Sequence, residues 1–323
     1  MILVVGGAGY IGSHLVKELV ETEEVIVLDN LSTGHREAVD QRAVFVKGDL
    51  GDKEDLDMIF SSYPIKAVMH FAAYSLVGES VVEPAKYYQN NVAATLTLLQ
   101  TMMKYKVKNF IFSSTAATYG IPDVEIIDET TVTSPINPYG RSKLMIEQIL
   151  ADFRNAYGLN YVVLRYFNAA GAHGSGEIGE SHNPETHLIP IVLQQLLGTR
   201  EKIAVFGSDY DTHDGTCIRD YIHVTDLANA HIRALEALLT GKKSAEVYNL
   251  GNGLGYSVKE VIETCEKVTG LKANVEMADR RAGDPARLVA SSEKIFGELG
   301  WKAERNLEQI IATAWEWHQN QKF

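Results

Sequence analysis

The sequence predicts an α/β protein: a doubly wound parallel sheet (Rossmann-like) with a second, smaller mixed α/β domain. Three observations predict it. Short runs of Val, Ile and Leu alternate with longer amphipathic segments through the first half of the 323 residues. A glycine-rich turn, Gly6 to Gly12, joins the first apolar run to the first amphipathic one. An acidic residue, Asp29, closes the second apolar run. Strands this apolar are buried on both faces, which calls for parallel pairing with helices as crossovers.

The elements follow in order. "ILVV" at 2–5 reads as the first strand and "IGSHLVKELV" as the helix after it. "VIVLD" at 25–29, "AVFVKGD" and "AVMHFAA" read as three further strands. Pro84 to Tyr105 reads as one long helix, "NFIFSS" as a fifth strand, the segment after Tyr139 as a helix and "YVVLRYF" as a sixth strand. After about Asn168 the rhythm loosens, and "NAAGAHGSGEIGESHNPETH" reads as a loop and domain crossing. Beyond it, "HVTDLANAHIRALEALL" reads as a helix and "EVYNL" as a strand. Ser257-Val-Lys-Glu260 is a capping box that opens another helix, and "LEQIIATAWEWHQ" is an amphipathic surface helix. The expected domains are 1–167 and 168–323, with some later segments free to return to the first.

A net charge of -12 and a pI near 5.3 argue against nucleic acid or an anionic membrane as the main partner. No apolar run approaches the ~20 residues of a membrane span, and the first one is too short for a secretion signal. Cys217 and Cys265 match no metal spacing and read as free thiols in a reducing, cytoplasmic setting. No metal site is expected from the ten histidines. His182 and His187 lie five apart in a glycine-rich stretch, with no organised carboxylate set beside them, and read as loop or ligand-proximal residues.

"VVGGAGYIG" satisfies Gly-x-Gly-x-x-Gly at Gly7, Gly9 and Gly12, and Gly-x-x-Gly-x-x-Gly at Gly6, Gly9 and Gly12. Glycines there let the backbone approach a pyrophosphate, whose charge the helix N-terminus stabilises. Asp29, 20 positions past Gly9, can accept hydrogen bonds from an adenine ribose and would repel a 2′-phosphate. NAD is therefore favoured over NADP. "GNGLGY" at 251–256 has the wrong glycine spacing and reads as a decoy.

In "NPYGRSK", Tyr139 stands four residues before Lys143. With 15 tyrosines and 18 lysines, one Tyr-x-x-x-Lys match is what chance supplies, so its meaning comes from its surroundings. Together with the glycine loop, Asp29 and the ordered blocks "GGAGYIGSH", "LDNLSTG", "HFAA", "VGESV", "YYQNNV", "FSSTAATYG", "PYGRSK", "LRYFNAAGAH", "GTCIRDYIHV" and "YNLGNG", the chain resembles the UDP-glucose 4-epimerases of the extended short-chain dehydrogenase/reductase superfamily.

The resemblance implies an NAD-dependent inversion at C4 of a UDP-sugar, with Tyr139, Lys143 and Thr115 catalytic. Tyr139 would take and return a hydroxyl proton, its pKa brought far below ~10 by Lys143, by the nicotinamide charge and by the helix start. Cofactor contacts are implied for Gly6, Gly9, Tyr10, Ile11 and Gly12, and for Asp29, Asn30, Asp49 and Leu50. Phe71, Ala72, Ala73, Asn91, Ser113 and Phe167 complete that set with Tyr139 and Lys143. On the substrate side, Arg219 and Arg281 are implied for the diphosphate, Asp284 for the uridine ribose, and Ala204 and Phe206 for the uracil. Asn168, His187, Leu188, Tyr221 and Leu288 are implied around the sugar and phosphates, beside Thr115.

Three departures stand out. Val5 replaces a threonine common before the glycines, and Ser75 replaces a lysine found near the nicotinamide in many members. Leu288 replaces the bulky tyrosine of some members, so N-acetylated UDP-sugars are expected to fit as well as UDP-glucose and UDP-galactose. The alternatives at this point are another sugar-nucleotide epimerase, a dehydratase or a cofactor-exchanging reductase of the same superfamily, and a non-catalytic nucleotide sensor. A sugar-nucleotide dehydratase would need an acid and a base after Thr115, where Ala116 and Ala117 stand. A non-catalytic nucleotide sensor would tend to lose Tyr139 or Lys143. By resemblance, the helices near 84–105 and 139–157 would form a homodimer interface.

Overall fold

A computed structural model of the protein describes residues 1–281 and 283–323. Its centre is a seven-stranded sheet. β1 (Ile2–Val5) leads through the glycine turn into α1 (Tyr10–Leu19) and then to β2 (Val25–Asp29) and β3 (Val44–Lys47). α2 (Lys53–Ser62) and β4 (Ala67–His70) follow. A short α3 (Val77–Val82) precedes α4 (Pro84–Tyr87), a π-helical turn at Tyr88–Ala93 and α5 (Ala94–Lys104). β5 (Asn109–Thr115), α6 (Pro138–Tyr157) and β6 (Asn160–Tyr166) complete the first half.

The second half is more broken. β7 (Asn168–Ala170) is separated by a long loop from α7 (Leu188–Leu196), then come β8 (Ile203–Phe206), β9 (Ile218–Arg219) and β10 (Tyr221–His223). α8 (Val224–Leu239) and β11 (Ala245–Leu250) are followed by β12 (Tyr256–Ser257) and α9 (Val258–Thr269). β13 (Val275–Ala278), β14 (Arg287–Leu288), α10 (Glu293–Leu299) and α11 (Leu307–Gln319) end the chain.

The main sheet runs β11-β6-β5-β4-β1-β2-β3 and is parallel throughout. Alternate residues of one strand serve opposite cores, because successive side chains of a strand point to opposite faces. Ile2 and Val4 pack with Leu15 of α1 and Leu227 of α8, while Leu3 and Val5 pack with Leu56 of α2, Leu98 of α5 and Ile146 of α6. Each fully buried aliphatic chain stabilises this arrangement by roughly 1.5–3 kcal/mol. A third core gathers Val192, Ile262, Ile310 and Ile311 between α7, α9 and α11.

The helix ends agree with their sequences. Asp52 accepts from the Glu54 and Asp55 amides ahead of α2. Asn137 accepts from the Gly140 amide at 2.8 Å, Pro138 opens α6, and Gly158 closes it in the left-handed region at φ 69°. The capping box expected at Ser257 is present. The long helix expected over 84–105 is continuous but widened at Tyr88–Ala93, where the π turn inserts an extra residue and turns Asn91 inward. No helix among the described residues is long and apolar enough to cross a membrane.

The order of strands reverses between β1 and β4. Connections run outward from that point on both sides, so a crevice opens beyond the strand ends there.

Candidate active site

The glycine turn lies at this switch point, and its glycines are not equivalent. Gly6 has φ +80°, and a Cβ there would stand 2.4 Å from the Ala72 amide nitrogen. At Gly12 it would stand 2.2 Å from the Gly6 carbonyl oxygen, and at Gly7 it would press on Val27. These three are required by packing. Gly9 is different: its φ is -76°, open to any residue, and an added Cβ would meet only the Gly6 oxygen, at 3.5 Å, among the described residues. Packing gives no reason for glycine at position 9. Close approach of a ligand to the backbone does, and the N-terminus of α1 favours an anion there. Tyr10 and Ile11 begin that helix, and the Tyr10 hydroxyl donates to the Gly171 carbonyl at 2.6 Å.

Asp29 ends β2 with its carboxylate spanning two backbone amides, Ala8 at 2.9 Å and Leu31 at 2.8 Å. Burial raises its pKa and both amides work against the rise. Each oxygen keeps a lone pair for a ribose hydroxyl. Asn30 donates to Asp49 at 2.8 Å, and Leu50 is buried beside them. Across the crevice the Phe71 and Ala72 amides both donate to the Val5 carbonyl, which draws Phe71 to Ala73 against the glycine turn. Asn91 is saturated within the protein. It brackets the Tyr74 backbone with an amide donor and an acceptor, each at 3.0 Å, and donates to Ser142 at 3.0 Å. It holds the 71–74 segment in place.

The three residues expected to be catalytic meet at the end of β5. Thr115 is its last residue, and α6 returns Tyr139 and Lys143 beneath it, all three nine-tenths or more buried. Lys143 donates to the Ser113 carbonyl at 2.8 Å, and its ammonium lies 4.8 Å from the Phe112 ring centre. Burial pushes Lys143 down to about 7, and Glu147 one turn on pushes back up. Burial also raises Tyr139, against which the Thr115 hydroxyl pulls down. The low pKa expected for this tyrosine is thus not reached by the protein groups alone. Lys143 spends one donor on Ser113, and a second positive charge has to come from the cofactor. Behind the strand, Ser113 Oγ meets His231 Nε2 at 2.9 Å, and burial lowers His231 to about 4. Sequence reasoning missed His231. Its only signal was a polar residue amid the apolar face of α8.

The substrate-side residues divide. Ala204 and Phe206 share the outward face of β8, and the Arg281 guanidinium lies over the Phe206 ring at 3.7 Å. Arg281 thus covers the ring face that the resemblance assigns to uracil. Arg219 sits 3.7 Å from Asp284, next to Leu288 on the paired strand β14. Asn168 is exposed at the start of β7, and Leu188 opens α7. Phe167 packs with Ala116 and Leu288. Tyr221 is 4% exposed and belongs to the third core.

"GNGLGY" proves to have a use unrelated to phosphate. The fully buried Asp220 accepts from the Asn252, Gly253 and Ala290 amides at 2.7–3.1 Å, and this clamp sets Arg219 beside β14. The reading of His182 and His187 as lacking carboxylates is overturned. The fold turns Glu180 and Glu185 toward them, and the four ligating atoms lie within 4.8 Å of one another.

The model of the NAD dependent epimerase/dehydratase family matches residues 2–251. A UDP-glucose 4-epimerase of Halalkalibacterium halodurans is 57% identical over 320 residues, 98% of this chain and 95% of that protein. The chain belongs to the UDP-glucose 4-epimerase family. A crystal structure of a UDP-glucose 4-epimerase that is 56% identical superposes with a TM-score of 0.97, covering 99% of this chain and 98% of that one. The Bifidobacterium longum enzyme of the family, solved in complex with NAD+ and UDP, is 41% identical with a TM-score of 0.94 over 99% and 98% of the two chains.

Two outcomes follow from the site. Gly9→Ala should leave the melting temperature within about 2 °C and weaken NAD binding by tenfold or more, whereas Gly12→Ala should lower both stability and binding. Calorimetry beside a binding titration separates the two. Lys143→Met should stabilise the dinucleotide-free protein by about 1–4 kcal/mol at neutral pH while abolishing turnover. Lys143 titrates lower folded than unfolded, so the gain is full below pH 7 and fades to nothing as pH approaches 10.5. Urea unfolding across that range checks the sign.

Proposed function

We propose that this chain interconverts UDP-sugars that differ in configuration at C4, with NAD as its bound cofactor. The observation that carries the reading is the content of one strand end. Thr115, Tyr139 and Lys143 converge there, and the two positions after Thr115 are Ala116 and Ala117, which cannot move a proton. Elimination of water would need an acid and a base at that place. Reversible oxidation needs one proton carrier.

The C4–H bond of a sugar is not acidic, so inversion proceeds best through a ketone. NAD, when bound, supplies the hydride acceptor and a positive charge near the tyrosine. Gly9, the α1 N-terminus and Asp29 would hold it. Tyr139 Oη takes the C4 hydroxyl proton and later gives it back. Thr115 Oγ steadies the same oxygen. Lys143, fixed on the Ser113 carbonyl, adds the cationic field that favours phenolate over phenol. Arg219 and Arg281 suit the diphosphate, and Leu288 leaves room for a 2-acetamido group beside the sugar. Proton NMR of UDP-galactose and UDP-N-acetylglucosamine, each incubated with enzyme, should show both converted. Tyr139→Phe should slow both by about 10²–10⁴-fold with NAD still bound, and an unchanged rate would remove Tyr139 from the mechanism.

The reading includes a homodimer. Val92 and Leu96 on the 84–105 helix and Leu144 and Ile149 on α6 are only partly buried, and Met145 is 42% exposed. Paired with a second copy these helices would bury an apolar four-helix face. Sedimentation equilibrium should give twice 35.7 kDa, and Met145→Glu should shift the protein toward monomer.

A further inference from the structure

The loop between β7 and α7 is pinned before it reaches the crevice. Gly179 lies so close to Trp317 that a Cβ there would stand 2.3 Å from the indole ring. The Trp317 Nε1–H donates to the Glu180 carbonyl at 2.9 Å. This packing turns the Glu180 side chain inward, where it is 5% exposed, and Glu185 joins it at 5%. Two carboxylates buried side by side repel each other and require positive charge between them.

Two imidazoles complete the set. His182 Nδ1 lies 3.2 Å from Glu180 Oε1 and 3.6 Å from Glu185 Oε2, and His187 Nδ1 lies 2.9 Å from Glu180 Oε1 and from Glu185 Oε1. An ion bound tetrahedrally at ~2.0–2.2 Å holds its ligand atoms roughly 3.3 Å apart, and these distances straddle that value. His182 Nδ1 is buried, yet it has no hydrogen-bond partner among the described residues. Its carboxylate neighbours are near enough but lie off its donor direction. A ring nitrogen that ligates a shared ion accounts for that geometry, while His187 Nδ1 makes a hydrogen bond to Glu185 Oε1 at 2.9 Å.

We propose that Glu180, His182, Glu185 and His187 hold one zinc ion that clips this loop to the start of α7. Two imidazole nitrogens with two carboxylate oxygens suit zinc better than magnesium or calcium, which prefer all-oxygen shells. Four protein ligands close the shell, so the role is structural. His187 is the residue that caps α7, and its 48% exposed ring leaves a path for the ion. The Tyr10 ring stands edge-on to His182 at 6.1 Å, so the clip also braces the crossing loop against the dinucleotide turn. Protonated imidazoles are the competing occupant. Burial lowers His187, but the Glu180 and Glu185 carboxylates carry it up to about 10, and ion pairs would fill the same space.

The untagged protein, grown with zinc and purified without chelator, should carry about one zinc per chain by mass spectrometry. Stripping with dipicolinate should lower the melting temperature by about 5 °C or more, and zinc chloride should restore it. Cobalt(II) added to stripped protein should give the visible absorption of a tetrahedral site. His182→Ala should lose the metal, and if that variant fails to fold, zinc titration of the stripped native chain still decides. Trace zinc with no melting response to added zinc overturns the proposal in favour of ion pairs. Another metal at one equivalent overturns the zinc assignment. Epimerase activity does not enter the test, so its outcome is independent of the function proposed above.

Discussion

One face of α6 carries charge into the interior, and the site is organised around that burden. Lys143 lies under the end of β5, and Glu147 follows one turn later with Arg165 of β6 against it, both less than a tenth exposed. A lone buried cation would be costly. Glu147 serves as its distant counter-charge and is itself held by Arg165 and by the Ser114 hydroxyl. Arg165 in turn meets the Tyr119 hydroxyl at 2.9 Å, which donates to Asn249 of β11 at 2.7 Å. A polar chain therefore crosses three neighbouring strands beneath the reactive groups. It fixes α6 in rotation as well as in position, since a turn of the helix would strand two ions.

The crevice is built by similar economy on both sides. Gly6, Gly7 and Gly12 let the turn pack, and Gly9 alone leaves space unclaimed by protein. Asp220 plays the matching part on the substrate side, where one buried carboxylate gathers three amides and sets Arg219 next to β14. Each arrangement uses an acid and a tight glycine-bearing loop, but only one of them opens toward a ligand.

Much of this was legible from residue order. The six strands and three of the helices of the first half followed from apolar periodicity, and the capping box at Ser257 from residue type. Tyr139, Lys143 and Thr115 were named together through the family resemblance, and the fold brings all three to one strand end. What stayed hidden depends on contacts distant in the chain. His231 meets Ser113 across 118 positions. The widened turn at Tyr88–Ala93 has no composition of its own, because any helical residue tolerates it. Glu180 and Glu185 lie in a glycine-rich stretch with no pattern of its own, and it is Trp317, 137 positions from Glu180, that holds the loop back. The direction of the Tyr139 shift also depended on burial, which a helix pattern does not report.

The last strand of the main sheet has a consequence for how the chain acquires its shape. β11 pairs with β6 along six residues, yet it is made some eighty residues later. Until Leu250 leaves the ribosome, β6 is an open edge with unpaired amides and carbonyls, flanked by apolar residues that have no α8 to cover them. The first half of the chain lacks one strand of its own sheet until the second half follows. A genetic fusion or split placed between the halves would leave the same edge exposed.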